Sequence, residues 1–279
     1  SYKGKIFFAV IPMVLVLVLT GCSRKNQNNT SNEGSIGVQL PMPVESVGSD
    51  EMFTDRDKEV GYDESTSVII QLADNNTAAS NTENVTVTGN QIIVKGEGTY
   101  ILQGELSEGQ VIVDASDTDK IRLIFNGVSI SCATSAAIYV KQADKVFITL
   151  SPDTNNMLVN TGAFANIDDN HIDSVIFSKA DLTLNGSGSL TVKSAYGHGI
   201  VSKDDLVVTG GVYNITSQSH GLNGKDSVRI TDATFTVASG KDCIHAENKD
   251  DENSGFVYIY SGNFNLKSDG DGVSAAYSL

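Results

Sequence analysis

From residue 67 onward, apolar and polar positions alternate in short segments that are separated by turns rich in Gly, Asn, Asp and Ser. Alternation with a period of two indicates β-strands that bury one face. The segments in the first half are 67–72, 85–88, 92–94, 100–102, 111–113, 121–125, 138–140 and 146–150. Helical periodicity is absent after residue 60, and only 52–60 suggests a short capping helix. The pattern therefore predicts an all-β domain.

The second half of the chain repeats every 22 residues. Leu206 and Val228 begin equivalent segments, and Tyr213 and Phe235 occupy equivalent positions in the next segment of each repeat. The third segment places Ile200, Leu222, Ile244 and Val273 in one series, spaced 22, 22 and 29 residues apart. The longer interval predicts a seven-residue insertion at 248–254, in a loop outside an otherwise regular coil.

Three short strands per coil of about 22 residues are typical of a right-handed, single-stranded parallel β-helix. A leucine-rich repeat lacks support because its consensus is missing, and a propeller blade needs ~40 residues or more. An antiparallel sandwich remains the alternative. In the β-helix, Leu182, Leu206, Val228 and Val257 point inward as one column. Their neighbours Thr183, Val207, Arg229 and Tyr258 lie outside, whereas Tyr213 and Phe235 belong to the core.

The N-terminus has the pattern of a secretory signal. Lys3 and Lys5 precede an apolar run at 6–19, which ends in Leu19-Thr20-Gly21-Cys22. This arrangement resembles the bacterial lipobox, which implies that Cys22 is lipidated and becomes the mature N-terminus. A transmembrane helix is the alternative, but the run is shorter than the ~20 residues that a span needs. We therefore expect a lipid-anchored protein on the extracellular face of the bacterial membrane.

The domain boundaries follow from composition. Residues 1–21 form the lipoprotein signal peptide, and 22–50 form a flexible tether because they are rich in Asn, Ser and Gly. Residues 51–279 form the β-helix domain. Its last coil has no evident cap, and a solenoid needs caps, so we expect further coils beyond residue 279.

A net charge of −15 argues against a nucleic-acid partner, because phosphates would be repelled. The three cysteines cannot form a disulfide framework. Cys132 and Cys243 are expected to be small buried thiols, without the spacing of a metal site.

Polar residues stand two positions before each member of the third apolar series, and they are predicted to form a column. They are His198, His220, Asp242 and Asp271. Carboxylates in adjacent coils repel each other unless they are protonated or bridged by a cation. Since Ca²⁺ prefers oxygen ligands, the sequence predicts a calcium site. Its candidate ligands are Asp242, Glu247, Asp269 and Asp271. The alternative is a solvated acidic face.

Carbohydrate binding commonly uses exposed aromatic rings, and the chain has no Trp. Tyr139, Tyr196, Tyr258 and Tyr260 are the available rings. Few aromatic residues among many acids favour acidic sugars bridged by calcium over neutral glucan. The candidate polysaccharide contacts are His198, His220, Arg229, His245 and Tyr258.

Two enzymatic alternatives stay open. Gly197-His198-Gly199, preceded by Asp168-Asp169 and followed by Arg229-Ile230-Thr231, resembles part of the polygalacturonase pattern. However, the Asn-Thr-Asp element is missing, Thr231 stands where Lys is usual, and the general acid has no clear candidate. A pectate-lyase-like reaction needs calcium and a base, for which Arg229 is the candidate. A structural adhesin stalk is a further alternative.

Residues 53–279 resemble a family of bacterial surface carbohydrate-binding domains whose right-handed β-helix is related to that of pectate lyases. The residues that support the resemblance are Phe53-Thr54-Asp55-Arg56-Asp57, Gly98-Thr99-Tyr100-Ile101-Leu102, Ala136-Ala137-Ile138-Tyr139-Val140, Ile176-Phe177-Ser178-Lys179, the stretch from His198 to Leu206, and Gly240-Lys241-Asp242-Cys243-Ile244-His245-Ala246. Cys243 stands where the family usually has Gly, and His198 and His220 where it usually has Asp. The resemblance implies non-catalytic binding of plant-wall polysaccharide, such as pectic acid or cellulose, with calcium in the structure.

Overall fold

The computed structural model of the chain describes residues 48–276, which form a parallel β-solenoid of about seven coils. Each coil contributes one strand to each of three columns, and equivalent strands pair in parallel between neighbouring coils. The all-β class, the parallel pairing and the three strands per coil are therefore confirmed. No helix within the described residues is long and apolar enough to cross a membrane.

The strands of the three columns follow one another along the chain. The first column contains β1 (Val68–Leu72), β9 (Lys145–Leu150), β12 (Asp181–Gly186), β15 (Asp205–Val208), β18 (Ser227–Ile230) and β21 (Phe256–Ile259). The second contains β10 (Asn155–Asn160), β13 (Ser189–Ser194), β16 (Val212–Ser217), β19 (Ala233–Ser239) and β22 (Gly262–Ser268). The long strands β5 (Gly98–Leu106) and β7 (Lys120–Cys132) run through both columns.

The third column forms a separate sheet. It contains β4 (Gln91–Val94), β6 (Gln110–Asp114), β8 (Ile138–Gln142), β11 (Ser174–Ser178), β14 (His198–Ser202), β17 (Leu222–Gly224), β20 (Ile244–Ala246) and β23 (Val273–Ala275). Two antiparallel pairs lie near the start of the solenoid. In the first, β2 (Ala78–Ala79) pairs with β1, and in the second, β3 (Val85–Thr88) pairs with β4. A short 3₁₀ helix, Glu64–Thr66, precedes β1.

The inward columns match the sequence prediction. Leu182, Leu206, Val228 and Val257 are in register and buried. In the second column, the Tyr213 ring stacks on Phe235 at 4.9 Å, and Phe235 stacks on Phe264 at 5.6 Å. Cys132 and Cys243 are both buried, as expected. Apolar burial of this kind is the main favourable term in folding, and here it continues through every coil.

The outer face of the first column is covered, which corrects the expected exposure of Thr183 and Val207. Both side chains are fully buried, although their register is as predicted. The cover is the segment 49–61, called the strap below, which includes the helices α1 (Ser49–Met52) and α2 (Asp55–Lys58). In place of the one short helix predicted at 52–60, the strap contains two helices of four residues each, and it lies along the side of the solenoid, across its strands.

The coil length varies because of two insertions. Residues 161–173 connect β10 to β11, and they cover the outer face of the third column, where Ile172 packs with Tyr139 and Phe177. Residues 249–253 are exposed, as predicted for the second insertion. Asn248 is instead buried, and its Nδ2 donates a hydrogen bond to Asp226 Oδ1 at 2.7 Å. The inserted loop therefore protrudes from an anchored base.

Candidate functional site

Three stacked turns between the second and third columns form a groove along the side of the solenoid. They are the turns at 194–197, 217–219 and 239–241, and backbone bonds join them, from Gln218 N–H to Ser194 O and from Gly240 N–H to Ser217 O. The groove has a volume of about 400 Å³. Because equivalent turns repeat at one strand spacing of ~4.8 Å, the groove runs along the solenoid axis.

Serines at the strand ends shape these turns. Ser194, Ser217 and Ser239 are in register at the ends of β13, β16 and β19. The hydroxyls of Ser217 and Ser239 donate to the carbonyl oxygens of Ser219 and Lys241. Hydroxyls that bond to nearby backbone favour turns over continued strand. Ser194 instead accepts from Gly197 N–H at 3.2 Å, so each serine bonds to the backbone of its own turn.

The groove combines one aromatic ring with several polar groups. Tyr196 is 54% exposed, and Gln218 and Lys241 are exposed beside it. Asp173 and His198 line the same groove, with 3.6 Å between His198 Nε2 and Asp173 Oδ2. Within residues 48–276, the Lys241 ammonium has no ion-pair partner. An open ring beside an available cation and hydrogen-bonding groups can hold a polar, ring-shaped ligand.

Three imidazoles stack beside the groove. The ring centroids of His198 and His220 lie 5.1 Å apart, and those of His220 and His245 lie 4.2 Å apart. His198, His220 and Asp242 line up as the predicted column, and each accepts a hydrogen bond from the backbone of the next coil. His220 N–H donates to His198 Nδ1 at 3.2 Å, and Asp242 N–H donates to His220 Nδ1 at 3.2 Å. Asp242 continues the ladder, because its Oδ1 accepts from Asp271 N–H at 2.8 Å.

Burial keeps the imidazoles of His198 and His220 neutral by lowering their pKa values. Burial, with the charges of Lys203 and Lys241, lowers the pKa of His198 to about 4. Burial and the neighbouring imidazoles of His245 and His198 likewise lower the pKa of His220 to about 4. For Asp173, burial raises the pKa of the carboxyl above its usual value. At neutral pH the groove therefore presents uncharged imidazole beside the Lys241 ammonium.

The four predicted calcium ligands do not meet as a group. Asp269 and Asp271 are exposed, and Glu247 pairs with Lys249 at 3.4 Å. Both oxygens of Asp242 are engaged, one by the backbone of Asp271 and the other by His245 Nδ1 at 2.9 Å. Among residues 48–276, the side chains that converge are His220, Asp242 and His245. Two of these three ligands are nitrogens, which do not suit Ca²⁺.

Carboxylates do crowd together at another turn, between the third and first columns. Asp204 and Asp226 are equivalent residues of adjacent coils, because Asp226 N–H donates to Asp204 O. Burial and the carboxylates of Asp181, Asp226 and Asp205 raise the pKa of Asp204 to about 6. This is the repulsion that the sequence predicted, at different residues.

The predicted ligand-binding residues fall into two places. His198 lines the groove, and His220 and His245 complete the stack beside it. Arg229 and Tyr258 lie under the strap. Arg229 pairs with Asp205 and donates to Met52 O, and the Tyr258 ring lies 6.0 Å from Phe53. These two side chains therefore hold the strap in place.

The Gly-His-Gly element has a packing explanation. A Cβ on Gly197 would lie 2.1 Å from Asp173 O, and a Cβ on Gly199 would lie 2.6 Å from Gly221 O. Adjacent coils approach so closely here that only glycine fits. Asp168 accepts a hydrogen bond from the Tyr139 hydroxyl at 2.5 Å, within the 161–173 insertion. Gly197, Gly199 and Asp168 therefore have structural roles.

Sequence reasoning missed Lys241, Gln218 and Asp173. Gln218 and Lys241 lie in turns whose register was known, so the 22-residue repeat could have placed them together. Tyr196 was recognised only as one of four aromatic candidates; of the others, Tyr139 is buried and Tyr260 is 61% exposed on another face. Cys22 and the predicted signal peptide lie outside the described residues.

Comparisons with known proteins give a family and a structural neighbour. The family model described as "carbohydrate-binding domain-containing protein" matches residues 88–279. A protein of that description from Acetivibrio thermocellus is 32% identical over 203 residues, covering 72% of this chain and 71% of the relative. Among solved structures, the polysaccharide lyase-like protein from C. thermocellum, a gadolinium derivative, superposes with a TM-score of 0.66. That likeness has 28% identity and covers 76% of this chain and 92% of the other.

Proposed function

Because the chain belongs to the family of carbohydrate-binding domain-containing proteins, we propose that it binds a polysaccharide chain along the groove beside Tyr196. The observation that supports this location is the direction of the groove. Three equivalent turns repeat along the solenoid axis, so successive sugar units can contact successive turns. Several weak contacts along one chain then combine into useful affinity.

The polar groups of the groove favour an acidic glycan, such as pectic acid, over cellulose. The Tyr196 ring offers a stacking surface for the C–H face of one sugar unit. Lys241 forms no ion pair within residues 48–276, so its ammonium is available to a uronate carboxylate. Lys203 adds positive charge close to His198. Salt screens interactions between charges that are more than ~10 Å apart. The cations beside the groove therefore act on a bound glycan more strongly than the distant acidic residues do.

The test is isothermal titration with oligogalacturonides and with cello-oligosaccharides. We expect Tyr196→Ala to weaken oligogalacturonide binding at least tenfold, since it removes the exposed phenol ring of the groove. Lys241→Gln should weaken oligogalacturonide binding but leave cello-oligosaccharide binding unchanged. The matched control is Tyr260→Ala, which removes an exposed ring from another face. Equal losses for Tyr196→Ala and Tyr260→Ala would refute this location, and release of unsaturated uronides would indicate a lyase.

We also propose that calcium supports the structure at Asp204 and Asp226. Their crowding raises the pKa of Asp204 to about 6, and a hard divalent cation would relieve it with the oxygen ligands that it prefers. A chelator should then lower the melting midpoint of the wild-type protein but not that of Asp204→Asn. Asp117→Asn, an exposed change elsewhere, is the control and should respond like wild type. A chelator response that survives in Asp204→Asn would place the ion at another site.

The location that we propose is the extracellular face of the bacterial membrane, with Cys22 as the lipid attachment point. The support is the lipobox-like sequence and the polar stretch that follows it. A tether of this length lets the domain reach a polymer outside the membrane.

A further inference from the structure

We propose that His220, Asp242 and His245 form a binding site for one Zn²⁺ ion. The three side chains come from two neighbouring coils, and one ligand atom from each lies within 4.8 Å of the others. His220 lies in the turn before β17, Asp242 in the turn before β20, and His245 on β20 itself. The cluster is half-buried, which protects an ion without closing off solvent.

The distances suit a small tetrahedral ion. The Oδ2 atom of Asp242 lies 2.9 Å from His245 Nδ1 and 3.5 Å from His220 Nδ1. Bonds of ~2.0–2.1 Å in a tetrahedron place neighbouring ligand atoms about 3.3 Å apart, which lies between these two separations. Binding at His220 Nδ1 exchanges its 3.2 Å backbone hydrogen bond for a coordinate bond.

The chemistry of the ligands selects the kind of metal. Two imidazole nitrogens and one carboxylate suit zinc, whereas calcium takes six to eight oxygens. An imidazole nitrogen binds a metal in the plane of its ring, so the His220 and His245 rings, which are stacked with 4.2 Å between their centroids, rotate out of the stack to share one ion. Three protein ligands leave the fourth position open to water or to an oxygen of a bound molecule.

Surrounding groups keep the three side chains close to one another. Asp242 Oδ1 is held by Asp271 N–H at 2.8 Å, which leaves Oδ2 facing the two imidazoles. His198 packs against the other face of His220, with 5.1 Å between the ring centroids. On the far side of His245, Nε2 lies 3.9 Å from Glu247 Oε2. Zinc-binding histidines commonly give their second nitrogen to such a carboxylate, and losing it weakens metal binding by 10–100-fold.

The experiment is a zinc titration of untagged protein that has been dialysed against a chelator, without any glycan. We expect one zinc per chain, undisturbed by a hundredfold excess of calcium. His220→Gln, Asp242→Asn and His245→Gln should each weaken binding at least tenfold, and Glu247→Gln by about tenfold. His171→Gln is the matched control, since His171 is an exposed histidine outside the cluster.

Absence of zinc binding, or equal losses in His171→Gln and His245→Gln, would overturn the site. Should a variant fail to fold by circular dichroism, cobalt decides the question in the wild-type protein. Strong visible absorption is expected for Co²⁺ in a four-coordinate site with nitrogen ligands, whereas the weak spectrum of hydrated cobalt would overturn the proposal. Since no glycan is present, the result is independent of the proposed polysaccharide binding.

Discussion

The Tyr213 hydroxyl is a buried polar group with no hydrogen-bond partner among the described residues. Its ring is fully buried in the aromatic stack of the second column, and burial raises the pKa of the hydroxyl well above its usual range. Burying an unpaired hydroxyl costs about 1–3 kcal/mol. We therefore expect Tyr213→Phe to raise the free energy of unfolding, by about 1 kcal/mol in urea titrations.

Tyr100→Phe is the matched control for Tyr213→Phe. Tyr100 is equally buried, but its hydroxyl donates to Gly96 O at 2.6 Å. Removing that bond should lower the free energy of unfolding by about 1 kcal/mol. The two substitutions should thus change the free energy of unfolding in opposite directions. Destabilisation by both would show that the Tyr213 hydroxyl has a partner.

Single residues in the candidate site were predictable to different degrees. The repeat placed His198, His220 and Asp242 in one column because their spacing from buried residues is constant. It could not show that each side chain accepts a backbone hydrogen bond from the next coil, since that depends on rotamers. For the same reason the sequence grouped Asp242 with other acids, whereas its partners are imidazoles.

At the scale of elements, the strap is fixed by one buried carboxylate. Asp57 is 1% exposed, and its Oδ1 accepts from Lys145 Nζ at 2.8 Å and from the Thr183 hydroxyl at 2.7 Å. A capping box with Thr54 holds it at the start of α2. Breaking a buried ion pair by removing one partner costs about 3–5 kcal/mol. Asp57→Asn should therefore destabilise the protein by about 3 kcal/mol, while exposed Asp55→Asn should have little effect.

The Asp57 contribution also has a predictable pH dependence. Burial alone would raise the pKa of Asp57, but the hydrogen bonds from Lys145 and Thr183 and the charge of Lys145 bring it below its usual value of 3.8. A lowered pKa in the folded state contributes stability above pH 3.8, and that stability is lost as the pH falls further. Between pH 5 and 2.5, the free energy of unfolding should fall less steeply in Asp57→Asn than in wild type. If the free energy of unfolding falls equally steeply with pH in both proteins, the pKa of Asp57 is the same in the folded and unfolded states.

The strap also explains which elements the sequence could predict. Inward columns follow from alternation within each strand, so Leu182 and Leu206 were placed correctly. Whether an outward-facing side chain is buried depends on which segment covers it. The strap reaches Thr183 and Arg229 from 126 and 177 residues away along the chain, and no local pattern indicates such a contact.

At the scale of the whole solenoid, neighbouring coils together form a groove that one coil could not form. Three successive turns contribute Tyr196, Gln218 and Lys241, so the groove exists only while neighbouring coils keep their register. Stability in a solenoid comes from contacts between neighbouring coils. Long linear ligands should therefore stabilise several coils at once, which shorter fragments cannot do.

At the same scale, membrane attachment and polysaccharide binding should be separable. We propose Cys22 as the anchor, and the groove residues belong to a domain that begins well after it along the chain. Two acyl chains give stable membrane attachment, whereas losing them leaves no comparable anchor. In a bacterial host, Cys22→Ala should incorporate no labelled palmitate and should appear in the soluble secreted fraction.

Purified Cys22→Ala should bind oligogalacturonides with the same affinity as Cys22→Ser, a second variant that lacks the thiol. Binding to whole cells or to pectin-coated surfaces should separate the two functions further. The unanchored protein keeps its affinity for the glycan but no longer holds cells to the surface, because attachment needs both ends of the molecule. Palmitate incorporation into Cys22→Ala at the wild-type level would contradict the anchor, and membrane retention without palmitate would point to a different mode of attachment.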